Sequence, residues 1–495
     1  MTDPGPAWQP AVRPGPRPVV AVVGGGIAGL SAARRLLLGR PDLDVVVLDA
    51  ADRVGGKLRL AEVGGVEVDV GAESLLFRRP EAVDLAREVG LGDDLEHPAT
   101  YAARVWSRGA RRPLPRSVMG VPGDQASLEE SGLLSAEGLR RALAEPDLPE
   151  TDVERLIAAG EDVGVGELVA ARFGDEVVDR LLEPLLGGVY AGEARRLSLR
   201  ACTPQVLALT DQGTSLTAAA ASVLAAPASQ VPVFAGLRGG VGRLPAALAA
   251  DLQRRGATVR TGVTVREVTR TPSGFRLTTG PAPAPEHLDV DAVVLATPAT
   301  PSSRLLAHLL PSAAGALGGI AYASSAVVTF ALEAGSDGAD VPLEGSGFLV
   351  PPVEGRLVKA ATFSRRKWSW VHEAGATADR PVALIRVSVG RVGEEHHLQV
   401  DDEQLVRRCL VDLTAALGAP LPAVVDARVT RWGGGLPQYA PGHLDLVASV
   451  RDQVAGVAGL AVCGAAYDGV GVPACIASGT RAAEALLADA AQWAT

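Results

Sequence analysis

Lysine is almost missing from this chain of 495 residues, standing only at Lys57, Lys359 and Lys367 among many arginines. With abundant alanine and glycine, that bias points to a GC-rich genome and says little about chemistry. The four cysteines, Cys202, Cys409, Cys463 and Cys475, form no C-x-x-C pair, which excludes a disulfide framework and a zinc ribbon and suits a reducing compartment. The histidines lack ligand spacing; His396 and His397 are adjacent and are expected to point apart on a strand, so no structural metal is predicted. Positive charge is also short: a net charge of −10 argues against nucleic-acid binding. There is no long apolar run either. The alanine-rich stretch at 217–226 contains Thr and Ser and stops at Pro227, too short for a bilayer. Residues 1–18 are proline-rich, with Arg13 and Arg17 and no apolar segment, and read as a disordered tail rather than a signal peptide. These absences predict a cytoplasmic protein with at most peripheral membrane contact.

What is present begins at residues 19–49, VVAVVGGGIAGLSAARRLLLGRPDLDVVVLD, which read as strand, glycine turn, helix and strand. Gly24, Gly26 and Gly29 fill the spaced positions of a G-x-G-x-x-G turn, and Ala33 is small where helix and sheet must approach. Gly24 suits the tight turn and Gly26 the approach of a pyrophosphate, whose charge meets the amides that start the helix. Asp49 ends the second strand, placed to accept hydrogen bonds from an adenosine ribose.

A second loop follows, Ala50-Ala51-Asp52-Arg53-Val54-Gly55-Gly56-Lys57. NAD does not need such a loop; an extended FAD does, because its phosphates and ring oxygens run further along the backbone. Gly64-Gly65 then turns a hairpin into an alternating strand, and Gly71-Ala72-Glu73-Ser74 offers small residues to a flat ring. From Pro80 to about Pro204 the periodicity is helical, over 81–90, 136–144, 151–159, 164–173 and 175–186. The end of this stretch, with Gly187, Gly188, Val189 and Tyr190, is apolar and flexible enough to line a cavity. Nucleotide-type signals resume at Gly236, with a buried strand at 291–297 stopped by Pro298. Strands are expected over 326–332, 357–363 and 382–389 and an amphipathic helix over 402–417, giving a mixed sheet covered by helices. Arg365-Arg366-Lys367 reads as a solvated edge rather than an anion site. Near the end, 460–463 is a strand, Gly464 a turn, and Gly469-Val470-Gly471-Val472-Pro473 a helix start whose dipole suits a reduced flavin.

The expected architecture is α/β. A discontinuous Rossmann-like FAD-binding domain spans 19–92, 236–300 and 425–495. A helical insertion spans 93–210, and a mixed-sheet substrate domain spans 211–235 and 301–424.

Three segments carry a resemblance: LLEPLLGGVYAGEARRLSL from Leu181, GLPQYAPGH at 435–443 and CGAAYDGVGVPACIASG at 463–479. With GGGIAGL and RVGGK they resemble the bacterial coproporphyrinogen III and protoporphyrinogen oxidases, FAD enzymes of haem biosynthesis within the monoamine-oxidase-like superfamily. The resemblance implies that Gly24, Gly25, Gly26, Ile27, Ala28 and Gly29 hold the pyrophosphate, and that Asp49 with Ala50 meets the ribose, where the family commonly has glutamate. It implies that Gly56, Lys57, Gly71, Ala72, Glu73 and Ser74 contact the middle and ring of the cofactor and that Val265 meets adenine. Trp432 would pack near the flavin, with Gly464, Val470, Gly471 and Val472 at its pyrimidine edge. Arg78, Arg79, Gly188, Tyr190 and Tyr439 would bind substrate. The implied reaction is a six-electron oxidation of a porphyrinogen by oxygen, with hydrogen peroxide released and no essential protein acid or base. A downstream ferrochelatase would be a transient partner. Coproporphyrinogen III is the expected substrate and protoporphyrinogen IX the alternative. An amine oxidase with Lys359 near the flavin is a further reading, although aromatic residues at 4% leave little for an aromatic cage. A non-catalytic escort of the same fold is another.

Overall fold

The computed structural model describes residues 17–493, apart from 214, 228–230 and 336–342. All but the last two residues of the expected tail lie outside that range. Five parallel strands form one sheet in the order Thr258–Arg260, Asp44–Leu48, Val19–Val23, Ala292–Leu295 and Leu460–Val462. Three stretches far apart in sequence thus share one sheet. Its central strands, VVAVV and AVVL, are apolar throughout because both faces are covered. On one face lie the helices Ile27–Gly39, Arg243–Arg254 and Val472–Ala488, whose Leu30, Leu36, Leu244, Leu248 and Ile476 share a core with Val20 and Val22. On the other lie an antiparallel meander over Glu267–Thr271, Gly274–Thr279 and Glu286–Val290 and the helices Ala299–Leu306, Pro311–Gly318 and His443–Ala455.

A second sheet has seven strands, in the order Val424–Pro437, Tyr322–Glu333, Val382–Val389, Val358–Thr362, Gly347–Leu349, Ala103–Ser107 and Ala110–Pro113. It is mixed, because Gly347–Leu349 runs parallel to Ala103–Ser107. One face packs on the helix Asp402–Leu417 through Val328, Phe330, Ile385, Val387, Leu405 and Leu413. Asp401 caps that helix, accepting from the Gln404 amide at 2.7 Å. The third body is helical, with Leu168, Phe173, Leu181, Leu186, Val206 and Leu216 in one core.

Four details differ from the sequence reading. The helical pattern read from Pro80 onward is interrupted by the strands Ala103–Ser107 and Ala110–Pro113, which complete the edge of the mixed sheet; a short hairpin gives no helical period to detect. Strand Val424–Pro437 likewise belongs to the mixed sheet, while helix Leu216–Ala225 packs into the helical core through Leu216, Ala219 and Ala220. His396 and His397 do not point apart: they sit in the short helix Glu395–Leu398, where neighbouring side chains diverge less than on a strand, and their rings lie 3.9 Å apart.

Candidate functional site

The site starts where the glycine turn leaves the parallel sheet. Gly24 has φ +110°, and a Cβ there would lie 2.8 Å from the carbonyl oxygen of Ala296, so only glycine fits. Its amide donates to Leu48 at 2.7 Å. Gly26 precedes the helix Ile27–Gly39 without any side-chain cap, and a Cβ built on it meets nothing within 4 Å. Gly471 precedes the helix Val472–Ala488 in the same way, with only Pro473 at 3.9 Å. The two helices pack backbone against backbone, since a Cβ on Gly479 would fall 2.0 Å from the carbonyl oxygen of Ala28. Two uncapped helix starts therefore face unfilled space, each with the positive end of its dipole, and the Ala28–Gly479 contact sets them about two helical turns, or ~10 Å, apart.

Asp49 has a dual task. Its carboxylate accepts from the Gly25 amide at 2.6 Å and the Ala51 amide at 2.7 Å, which fixes the turn and leaves about two further acceptor positions on the carboxylate. The second glycine loop rests on the first: the Gly55 amide donates to Gly25 at 2.8 Å, and Gly26 bridges to Gly55. The segment carrying Val265 lies alongside, with the Val263 amide on the Asp49 carbonyl at 2.8 Å, and Val265 is half-buried there. Ala50 and Gly56 are exposed.

Further along, Gly71 is wedged between the Lys57 carbonyl, 2.0 Å from a Cβ built there, and Trp432, whose Cζ2 is 3.2 Å away. The Ala72 amide donates to Lys57 at 3.2 Å. Desolvation lowers the Lys57 pKa, partly offset by the nearby Cys475 at the start of the C-terminal helix. Its side chain nevertheless meets solvent, so it lines a concavity rather than a packed core. Gly464 is buried, its amide donates to Ser478 at 2.9 Å, and nothing lies within 4 Å of a Cβ built on it. Val470 packs towards the helical core, Val472 is buried and Ser74 half-buried.

Glu73 behaves differently from the small-residue loop expected around it. One carboxylate oxygen accepts from Lys367 at 2.7 Å and the other from Arg386 at 2.6 Å, and Arg386 also donates to the Gly71 carbonyl. Burial alone would raise the Glu73 pKa, but the two cations bring it down to about 2. The trio is one positive charge in excess, beside the Gly71 and Trp432 contact. Lys367 is thus no solvated edge: its run forms the one-turn helix Ser364–Lys367, which aims the ammonium inward. Sequence reasoning missed Arg386, although a lone arginine inside the otherwise apolar strand VALIRVSV was a signal, because a buried charge needs a partner. Asp69, also missed, accepts from the Val241 and Gly242 amides at 2.8 Å each and ties the returning segment to the first. Desolvation raises its pKa to about 7.

Beyond this lies the face of the mixed sheet that turns away from helix Asp402–Leu417. On the inner strands Ala360, Thr362, Arg386 and Ser388 are half-exposed, although the strands are flanked on both sides. The helix Glu183–Tyr190 covers this face, with Gly188 against Leu349 at 3.7 Å, yet Gly188 itself is exposed. Sheet and helix therefore enclose open space instead of packing together. Tyr190 and Tyr439 meet edge to face at 5.6 Å, and the Tyr439 hydroxyl donates to the Ala465 carbonyl. The structure does not gather Arg78 and Arg79 with these residues. Arg78 donates to the Val231 carbonyl at 3.2 Å, and Arg79 pairs with Glu81 at 2.5 Å. Among the described residues no group of three or more His, Cys, Asp or Glu could hold a metal ion, and no helix is long and apolar enough to cross a membrane.

Comparison with known proteins agrees with this geometry. The family model for flavin containing amine oxidoreductases matches residues 27–487. The coproporphyrinogen III oxidase of Mycobacterium tuberculosis is 40% identical over 94% of this chain and 96% of its own length. That of Mycobacterium leprae is 38% identical over 95% and 98%. A crystal structure from Exiguobacterium sp. 255-15, described as a protoporphyrinogen oxidase, superposes with a TM-score of 0.82 at 30% identity, covering 95% of this chain and 99% of that one. The uncapped helix pair and glycine cradle fit the cofactor of that family, FAD. The chain is therefore an FAD-dependent oxidoreductase and belongs to the flavin-containing amine oxidoreductases, within their coproporphyrinogen III and protoporphyrinogen oxidase branch.

Proposed function

We propose that this protein oxidises coproporphyrinogen III to coproporphyrin III, removing six electrons in three rounds. Each round uses one molecule of oxygen and releases one of hydrogen peroxide, so the stoichiometry is three of each per porphyrin. The observation that carries this reading is the half-exposed inner face of the mixed sheet, roofed by helix Glu183–Tyr190 and adjoining the Gly71 and Trp432 contact. A macrocycle needs that breadth; a small amine does not. Relatives 40% and 38% identical carry the same name, which supports coproporphyrinogen over protoporphyrinogen.

FAD, when bound, supplies the two-electron acceptor. The chain supplies the rest by holding and enclosing. The uncapped helix starts at Gly26 and Gly471 bind negative oxygens, and Asp49 retains acceptor positions for a ribose. Arg386 and Lys367 hold the loop at Gly71 and Glu73 against Trp432. The roof over the sheet face orients a macrocycle and limits water, which is where proximity gains its effect. Among the residues around this face we assign no acid or base: aromatisation drives the loss of hydrogen, and the pyrrole proton can leave to solvent. Gly188, Tyr190 and Tyr439 are proposed as wall residues; Arg78 and Arg79, engaged by the Val231 carbonyl and by Glu81, are not assigned to it. The product would pass to a metal-inserting enzyme such as a ferrochelatase.

The test is turnover of coproporphyrinogen III and protoporphyrinogen IX by the purified yellow holoprotein, followed by porphyrin fluorescence together with peroxide release. Preferential oxidation of coproporphyrinogen with stoichiometric peroxide is expected. A strong preference for protoporphyrinogen, or peroxide formed with simple amines only, overturns the assignment.

A further inference from the structure

Arg53 follows two carboxylates closely in sequence, Asp49 and Asp52, yet among the described residues its guanidinium forms no ion pair. It donates instead to three main-chain carbonyls of the second glycine loop. Nη1 reaches Val54 at 3.0 Å and Leu58 at 3.3 Å, and Nη2 reaches Gly56 at 2.9 Å. An arginine that forgoes nearby carboxylates for the carbonyls of one loop is holding the shape of that loop. The guanidinium suits this task because its donors form a rigid planar fork, which an ammonium lacks.

The consequence lies on the other side of each peptide. In a trans peptide the carbonyl and the amide point in opposite directions, so drawing the Gly56 carbonyl to Arg53 turns the Lys57 amide away from it. The neighbouring amides are already committed: Gly55 donates to the Gly25 carbonyl at 2.8 Å and Leu58 to the Gly55 carbonyl at 3.0 Å. Between them the amides of Gly56 and Lys57 have no partner among the described residues. Gly56 is exposed, has φ +56°, and would carry a Cβ 3.5 Å from the Gly26 Cα. The free amides of the second loop thus stand beside the uncapped start of helix Ile27–Gly39, where successive main-chain N–H groups suit an anion.

We propose that Arg53 is a positioning residue for FAD: by drawing the Val54, Gly56 and Leu58 carbonyls to itself, it presents the Gly56 and Lys57 amides to negative oxygens of the cofactor beside Gly26. In this role Arg53 need touch no atom of FAD. The proposal concerns the flavin and stands whichever porphyrinogen is oxidised. It is tested on the full-length protein by equilibrium dialysis against graded FAD, comparing wild type with Arg53→Met, Arg53→Lys and Arg53→Ala. Arg53→Met should raise the Kd for FAD about tenfold, equivalent to about 1.4 kcal/mol. Arg53→Lys should lose nearly as much, since one ammonium cannot span three carbonyls. Ethylguanidinium should restore most of the affinity of Arg53→Ala, and ethylammonium should not. With FAD supplied in proportion to each Kd, so that ligand stabilisation is equal, Tm should stay level, because the tie from Gly55 to Gly25 remains. A lysine can serve a direct phosphate contact as a point charge, so wild-type affinity in Arg53→Lys would mean that charge matters and loop shape does not, and would overturn the proposal. An unchanged Kd in Arg53→Met overturns it too. So does a lower Tm in Arg53→Ala with affinity that ethylguanidinium leaves unrestored, which would make Arg53 a support of the fold alone.

Discussion

The two ends of the proposed cofactor site are built from different materials. At the nucleotide end the working groups are main-chain amides at the uncapped helix start after Gly26, and the side chains there are mostly absent: Gly24, Gly26 and Gly29. At the ring end the loop at Gly71 and Glu73 is held by the side chains of Lys367 and Arg386, about 300 residues away in sequence. Backbone sites demand glycine at fixed spacing and so leave a motif. A charge network assembled from three distant segments leaves none.

The largest expected effect separates two glycines that the sequence treats alike. Gly479→Val would drive a side chain into the Ala28 carbonyl, where a Cβ already falls at 2.0 Å, and prise the two helices apart. Such overpacking against backbone has no cheap relief, and a loss above about 4 kcal/mol with little soluble protein is expected. Gly26→Val meets open space instead and should leave the apo fold intact by circular dichroism, while the purified protein loses its absorbance near 450 nm. A yellow Gly26→Val protein would show that the pyrophosphate approaches elsewhere.

At the ring end, Arg386→Met leaves Glu73 buried with one cation and the Gly71 carbonyl without its donor. Breaking one side of a buried pair costs about 3–5 kcal/mol, measurable as a fall in urea midpoint, with weaker flavin retention following from the loosened loop. The pH dependence has a definite sign. Because the Glu73 pKa is lowered from 4.5 to about 2 in the folded protein, its contribution is present above the unfolded value and is lost as pH falls through that window. Glu73→Gln should flatten the acid limb of the stability profile there; an unchanged acid limb would show that the trio is not ionised as described. Asp69 acts in the opposite sense. With its pKa raised from 3.8 to about 7, the unfolded chain gives up the proton first, and stability declines as pH rises across that interval.

The same contrast explains what could be read before the structure was known. The parallel sheet, the glycine turn, the second loop and the C-terminal helix start were legible because apolar runs and glycine spacing report local geometry. Arg386 and Lys367 were not, since nothing local tells an arginine on a strand whether a carboxylate waits across the sheet. The hairpin at 103–113 was lost for a related reason: each strand spans four or five residues, and its partner, Gly347–Leu349, lies far along the chain. Asp49 fell between these cases. Its place after the strand was visible, but its hold on the Gly25 and Ala51 amides was not.

The smallest effect concerns Tyr439, which stands between the two ends. Its carbonyl accepts from the Ser198 amide at 2.7 Å, its ring stacks on His443 at 4.2 Å, and its hydroxyl donates to Ala465 in the turn before the C-terminal helix. Tyr439→Phe keeps the ring contacts and removes one hydrogen bond, leaving the Ala465 carbonyl short of a donor, so a loss of about 1 kcal/mol is expected. In a chain of this length that is a Tm shift of only about 1–3 °C in the holoprotein. If Tyr439 is only a strut between the helical body and the flavin-side turn, KM for coproporphyrinogen stays level while Tm falls. If it also forms the cavity wall, KM rises by more than the stability change accounts for. The ratio of the two effects therefore tells whether the boundary between the backbone-built and side-chain-built ends passes in front of Tyr439 or behind it.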